Sequence, residues 1–264
     1  MERLRSVVSR RLAILVLAFL AGLPGPAAAQ AKPAKVIHAV VALCDNQYQG
    51  IVPVPARIGN GDDPANNLYW GAAYGVKSFF LKAKGWSLVA KTANPRPAVL
   101  ERYVFKYGAA PVYLVADAYR GREIWRATND FFQFAAGRSA ETIALPAIKL
   151  QAGGGADLVA YVGHDGLMDF RIAEGPRGAP GRGAIILACA SKPYFAAPLR
   201  NTGADPLLWT TGLMAPEAYV LKAAVEAWIA GEGGEGMRRR AAAAYDQYQK
   251  CGSKAALRLF ATGW

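Results

Sequence analysis

The sequence predicts an α/β fold built on a parallel sheet, and three observations carry that prediction. Residues 158–163 and 184–188 are short apolar runs, with β-branched Val and Ile among them, that stop at His164 and Cys189. Glycine-rich stretches at 153–155 and 178–183 bound them, which is the pattern of strands buried on both faces. Strand-like and helix-like stretches alternate along the chain, as they do where parallel strands are joined by right-handed crossovers.

The first residues read as a targeting segment. Arg3, Arg5, Arg10 and Arg11 precede an apolar core at 12–23, and Ala27, Ala28 and Ala29 supply the small residues of a cleavage site. The core falls short of the about 20 residues a membrane span needs. Residues 1–29 are therefore expected to be a cleaved signal peptide, with residues 30–264 a single domain in the periplasm or secreted, and no later membrane span. The whole chain carries a net charge of +12, and the signal takes four Arg and one Glu with it, leaving +9. The basic residues are scattered, with Arg238, Arg239 and Arg240 the one dense cluster, so the basic stripe interleaved with aromatics that marks a nucleic-acid surface is missing.

A first buried strand is expected at 35–44, followed by a polar loop at 45–67. Apolar residues at helical spacing (Leu68, Tyr69, Ala72, Val76, Phe79, Phe80) predict a helix over 67–84. Residues 99–107 and 111–117 read as strands and 121–136 as a second helix. After the two apolar runs come a last strand at 207–211 and helices at 216–230 and 237–250, separated by a glycine-rich link.

In open α/β sheets the working residues sit just past the carboxyl ends of the strands. One strand would then deliver the His164 imidazole to that edge and the other the Cys189 thiol. This is a nucleophile–base pair, because the thiolate attacks and an imidazole can generate it. With two histidines and three cysteines in 264 residues, the pairing carries more information than in a His-rich chain. Taken singly, a strand-end thiol packed as a small hydrophobe and a histidine capping a strand are the commoner outcomes. His38 falls inside a strand pattern and reads as structural. Cys44 is the rival nucleophile in a papain-like order, but a papain-type cysteine opens a helix, whereas Cys44 opens a polar, proline-rich loop.

These residues resemble the caspase-like, or caspase–haemoglobinase, superfamily of cysteine peptidases. That family's signature is a hydrophobic block, His-Gly, a spacer, a second hydrophobic block and Ala-Cys, matched here by residues 159–163, His164, the spacer to Gly183, residues 184–187, and Ala188-Cys189. Asp165 interrupts the usual His-Gly. The 25-residue spacing from His164 to Cys189 is short, which predicts that the helix between the two strands is reduced or absent.

The resemblance implies a three-layer sandwich with a mostly parallel central sheet, and peptide-bond hydrolysis by Cys189 with His164 as acid/base, needing no cofactor. It also implies an oxyanion hole from the amides of Cys189 and of Gly166 or Asp165. Asp45, Asp62 and Asp63, following the first strand, would select Arg or Lys at P1, although Asp in such loops is usually a turn former. The implied strand order places one strand between those of Cys44 and Cys189, which predicts that these two thiols do not pair.

The segment from Gly59 to Gly71 reads either as a turn cluster capping the first helix or as a ligand-facing loop. Its Asp and Asn spacing fits no EF-hand, and no zinc set, P-loop or dinucleotide fingerprint occurs. The alternative to a hydrolase is a non-catalytic exported α/β protein that binds a ligand or partner at the same sheet edge.

Overall fold

The structure is a computed structural model, and it describes residues 33–172 and 174–264. The expected signal peptide lies outside the described residues. Residues 33–264 form one compact unit. Its strands are β1 (Lys35–Ala42), β2 (Trp86–Arg96), β3 (Val99–Tyr107), β4 (Val112–Tyr119), β5 (Ala140–Leu145), β6 (Ile148–Gly153), β7 (Leu158–Val162), β8 (Gly183–Leu187), β9 (Asp205–Thr210) and β10 (Phe260–Ala261). The helices are α1 (Val76–Phe80), α2 (Ile124–Ala135), α3 (Ser191–Thr202), α4 (Ala218–Ile229), α5 (Gly234–Gln249) and α6 (Ser253–Leu259).

Eight strands form the central sheet in the order β10-β9-β8-β7-β1-β4-β3-β2, and β5–β6 is a separate hairpin. β9, β8, β7, β1 and β4 run parallel, while β3 and β10 are antiparallel to their inner neighbours. The fold is thus α/β with a mostly parallel sheet between two helical layers.

Alternation in the strands explains the layers. In β1, Ile37, Ala39 and Val41 pack into one core with α4 and α5, while Val36, Val40 and Ala42 pack into the other with α2 and α3. Both faces of β1, β4, β7 and β8 are covered, so that apart from Lys35 at the start of β1 these strands carry no exposed side chain. On the α2 side, Phe131, Phe132, Tyr161 and Phe195 interlock with ring centroids 5.3–5.9 Å apart. Aromatic pairs at such separations add about 0.5–1.5 kcal/mol each beyond area burial, and this set seats α3 against α2 and β7.

His38 is structural, as its strand position implied. Its Nδ1 accepts the Gly153 amide at 2.7 Å, which puts the proton on Nε2, facing Asp117 Oδ2 at 3.1 Å. Arg102 grips the same carboxylate twice, at 2.6 and 2.7 Å, and reaches Glu141 on the hairpin. Burial opposes ionisation of Asp117, but Arg102 and His38 hold its carboxyl well below the usual range. The network fastens the β5–β6 hairpin to the sheet.

The long helix expected over 67–84 shrinks to α1. Asn67 is fully buried and turns its side chain to Cys44 N and O at 3.0 and 2.8 Å. The chain after it coils so tightly that a Cβ at Gly71 would lie 2.1 Å from the Ala65 carbonyl oxygen, leaving no room for a helical surface. Between β7 and β8 the described residues hold only a 3-10 turn at Gly166–Met168, in line with the short spacing. Among the described residues, no helix is long and apolar enough to cross a membrane.

Candidate active site

β7 and β8 are adjacent and parallel, in a register that pairs Val162 with Leu187. His164 and Cys189 each lie two residues past these ends, at the same edge of the sheet. The sheet's chain order reverses between β1 and β7, because β1 connects onward to β4 on one side while β7 leads to β8 on the other. Such a reversal opens a crevice at the carboxyl edge. A cavity of about 270 Å³ occupies it, lined by Gly50–Val52 after β1, by Gly163, His164 and Met168 after β7, by Cys189 after β8, by Leu213 and Pro216 after β9, and by Tyr69. His164 and Cys189 therefore face one space.

Cys189 sits on a strand–turn–helix corner. Ala190 takes the left-handed conformation (φ 45°, ψ 36°) and α3 begins at the next residue. A non-glycine residue in that region is strained by about 1–2 kcal/mol, so the surroundings must hold it. Ser191 Oγ bonds Ile186 O at 3.1 Å and Thr210 Oγ1 at 3.0 Å, Ser191 N donates to Thr210 Oγ1 at 3.0 Å, and Ala190 N donates to Gly212 O at 2.8 Å. The corner places Cys189 just before the amino end of a twelve-residue helix, where the backbone dipoles favour negative charge. Its Sγ lies 3.4 Å from both the amide nitrogen and the carbonyl oxygen of Met214.

His164 is held from two sides. The Tyr161 hydroxyl donates to its carbonyl oxygen at 2.9 Å, and its Nε2 meets Asp169 Oδ2 at 2.8 Å. The 3-10 turn Gly166–Met168 brings Asp169 back to the ring. The same carboxylate oxygen accepts the Gly50 amide at 2.9 Å. That approach needs glycine, since a Cβ at position 50 would meet Asp169 Oδ1 at 2.3 Å. With Nε2 engaged by a carboxylate, Nδ1 is the nitrogen left for the thiol. Asp169 is a functional candidate that the sequence reading missed; a lone Asp five residues after a histidine carries no signal until the turn between them is known.

Asp165 is fully buried. Its Oδ1 accepts the Leu167 amide at 3.0 Å, and its Oδ2 has no partner among the described residues. Burial pushes its carboxyl up to about 7, with Asp169 adding to the rise and the Leu167 amide opposing it. Gly166 is packed against Phe170 and Ile124 and does not line the cavity; the glycines that do are Gly50 and Gly163. Among the described residues, the amides of Asp165, Gly166 and Cys189 make no hydrogen bond.

The rival thiol lies elsewhere. Cys44 is fully buried and does not line the cavity. Burial pushes the Cys44 thiol up to about 11, which keeps it protonated and unreactive near neutral pH. All three cysteines are free, and β7 separates the strands that lead to Cys44 and Cys189.

The three acidic residues expected to select a basic substrate residue do not join His164 and Cys189. Asp45 Oδ1 accepts the amides of Gln47 and Tyr48, at 2.9 and 3.2 Å, as a turn former. Asp62 pairs with Arg120 and Arg122. Asp63 caps the amides of Ala65 and Asn66. Asp45 and Asp62 line a separate cavity of about 310 Å³, and none of the three borders the cavity of Cys189. Among the described residues, no cluster of three or more His, Cys, Asp or Glu gathers as a metal site.

Comparison with protein-family models, curated proteins and solved structures finds no match for this chain.

Proposed function

We propose that this chain is an exported cysteine hydrolase of peptide bonds, of the caspase-like type, with Cys189 as nucleophile and His164 as general acid/base. The observation that carries the reading is the cavity at the carboxyl edge of β7 and β8 that both side chains line. In the proposed reaction the Cys189 thiol gives its proton to His164 Nδ1, and Sγ bonds to the substrate carbonyl carbon. The carbonyl oxygen takes negative charge, for which the Cys189 amide is the donor at the cavity; Asp165 and Gly166, expected to help, do not line it. Donors of this kind are worth about 3–4 kcal/mol each in acyl transfer. Collapse of the intermediate breaks the C–N bond, and the imidazolium protonates the departing amine. Water then attacks the thioester with His164 as base, releasing the acid and restoring the thiol. Asp169 steadies the ring and balances its charge while it is protonated.

Cys189→Ala and His164→Ala are each expected to abolish hydrolysis in a folded protein, because nucleophile and base act as one unit. Retained hydrolysis in purified Cys189→Ala would move the chemistry away from this cavity.

The two contacts of Cys189 Sγ with the Met214 backbone favour a second reading, in which the thiol is an inert packing group and the same edge binds a partner without reaction. Alkylation separates the two: a nucleophilic Cys189 reacts with iodoacetamide near neutral pH faster than a free cysteine, and an inert one more slowly.

A further inference from the structure

The chemistry of the cavity walls says which substrate residue it accepts. Apart from His164 and Cys189, its side chains are Ile51, Val52, Tyr69, Met168, Leu213 and Pro216, and none of these carries a charge. Tyr69 is uncharged and almost wholly buried in the wall. Val52 and Leu213 are 88% and 79% exposed and Met168 is 38% exposed, which gives the opening an apolar rim. Single exposed apolar residues are ordinary on a protein surface; three around the opening that leads to a thiol and an imidazole are a different matter. The carboxylates next in sequence to the lining residues do not line the cavity: Asp165 is fully buried, Asp169 is engaged with His164 and the Gly50 amide, and Glu217 accepts from Tyr219 and Gln249. The acidic loop after β1 is spent on turns and on Arg120 and Arg122. At about 270 Å³ the cavity is just below the about 300–1,000 Å³ of sites for whole small molecules. It suits one side chain and its carbonyl group.

We propose that this cavity is a specificity subsite for an uncharged, apolar side chain, of the Leu, Met or Phe kind, on the acyl side of the bond that Cys189 attacks. The proposal rests on the cysteine-hydrolase reading. An Arg or Lys ammonium in this space would shed its water and find no carboxylate in exchange, and an Asp would find no cation, either of which is unfavourable. An apolar side chain exchanges water for Ile51, Tyr69 and Leu213. Discrimination between apolar and charged residues is then set by the loops after β1 and β9, while the loops after β7 and β8 carry the reaction.

The test uses the purified chain and four peptidyl chloromethyl ketones that differ only in the residue beside the warhead: Leu, Phe, Arg or Asp. Each reacts by forming a Cys Sγ–carbon bond with release of chloride, and peptide mapping locates the adduct. Iodoacetamide, which carries no side chain, serves as the reference for the thiol itself. The Leu and Phe reagents are expected to modify Cys189 about tenfold or more faster than the Arg and Asp reagents after correction for their reaction with free cysteine. Leu213→Glu, at an exposed rim position, is expected to narrow that ratio by raising the Arg reagent relative to the Leu reagent, each rate divided by that variant's own iodoacetamide rate. An Arg or Asp reagent that reacts fastest at a Cys189 which iodoacetamide also labels overturns the subsite and leaves the hydrolase reading standing. A Cys189 that neither iodoacetamide nor any ketone labels overturns the hydrolase reading, and the subsite with it.

Discussion

Replacing Asp165 with Asn isolates a single buried carboxyl beside the candidate base. Burial raises this group from its ordinary 3.8 to about 7. At about 1.4 kcal/mol per pH unit, the folded state disfavours the carboxylate by up to about 4 kcal/mol relative to the unfolded chain. Between these two values the folded chain keeps a proton that the unfolded chain has released, so stability falls as pH rises. The contribution is complete below about pH 4, declines through neutrality and is gone above about pH 7. Asparagine stays neutral throughout and still offers an oxygen to the Leu167 amide, which the native carboxyl bonds at 3.0 Å. Asp165→Asn should therefore match the native protein near pH 4 and exceed it near pH 8, by up to about 4 kcal/mol. Urea unfolding followed by circular dichroism at about five pH values reads this directly. Parallel stability curves for the two proteins would show that the carboxyl ionises in the folded state as it does in water, and that its unpartnered Oδ2 is hydrated.

Further outcomes follow from the same geometry. Asp169→Asn removes the carboxylate 2.8 Å from His164 Nε2; it should lower kcat/KM about 10- to 100-fold and move the pH profile of Cys189 alkylation, with the fold intact. An unchanged pH profile would make Asp169 a purely structural residue. Ala190→Gly relieves a positive φ of 45° and should raise stability by up to about 1 kcal/mol, measured as a higher urea midpoint. Phe195→Ala empties a fully buried site where Phe131, Phe132 and Tyr161 converge and should cost about 3–5 kcal/mol. In a native protein exposed to iodoacetamide, Cys44 should remain unlabelled until the chain is unfolded, since it is fully buried and its thiol is held up to about 11.

The buried parallel strands were legible because burial on both faces leaves a continuous apolar run, and the sequence placed the bounds of β1, β4, β7, β8 and β9 within about two residues. β2 was not legible: it is an edge strand with mostly exposed side chains, interrupted by a bulge and by Asn94 at positive φ. α3 was hidden by Pro193 and Pro198, which speak against a helix. It forms because Phe195 and Leu199 bury one stripe against the aromatic cluster and Pro193 lies in the first turn, where its missing amide costs no hydrogen bond. The β5–β6 hairpin depends on Glu141 and Gly153 meeting Arg102 and His38, partners 39 and 115 residues away. At the site, the juxtaposition of His164 and Cys189 was readable from the strand ends. The role of Asp169 and the diversion of Asp45, Asp62 and Asp63 into turns and ion pairs were not, because each depends on a local turn or a distant arginine rather than on residue type.

The carboxyl edge of the sheet divides its labour by strand. Histidine and cysteine come from β7 and β8, which sit between fully covered neighbours, whereas Ile51, Val52, Leu213 and Pro216 come from the loops of β1 and β9. An insertion in the loop after β9 would reshape the opening without altering the register that pairs Val162 with Leu187. The mouth is thus a composite: side chains at rim positions such as Val52 and Leu213 are mostly exposed and free to change, whereas the backbone of Gly50, Gly212 and Met214 is tied to Asp169, Ala190 and Cys189 and holds the candidate pair in place.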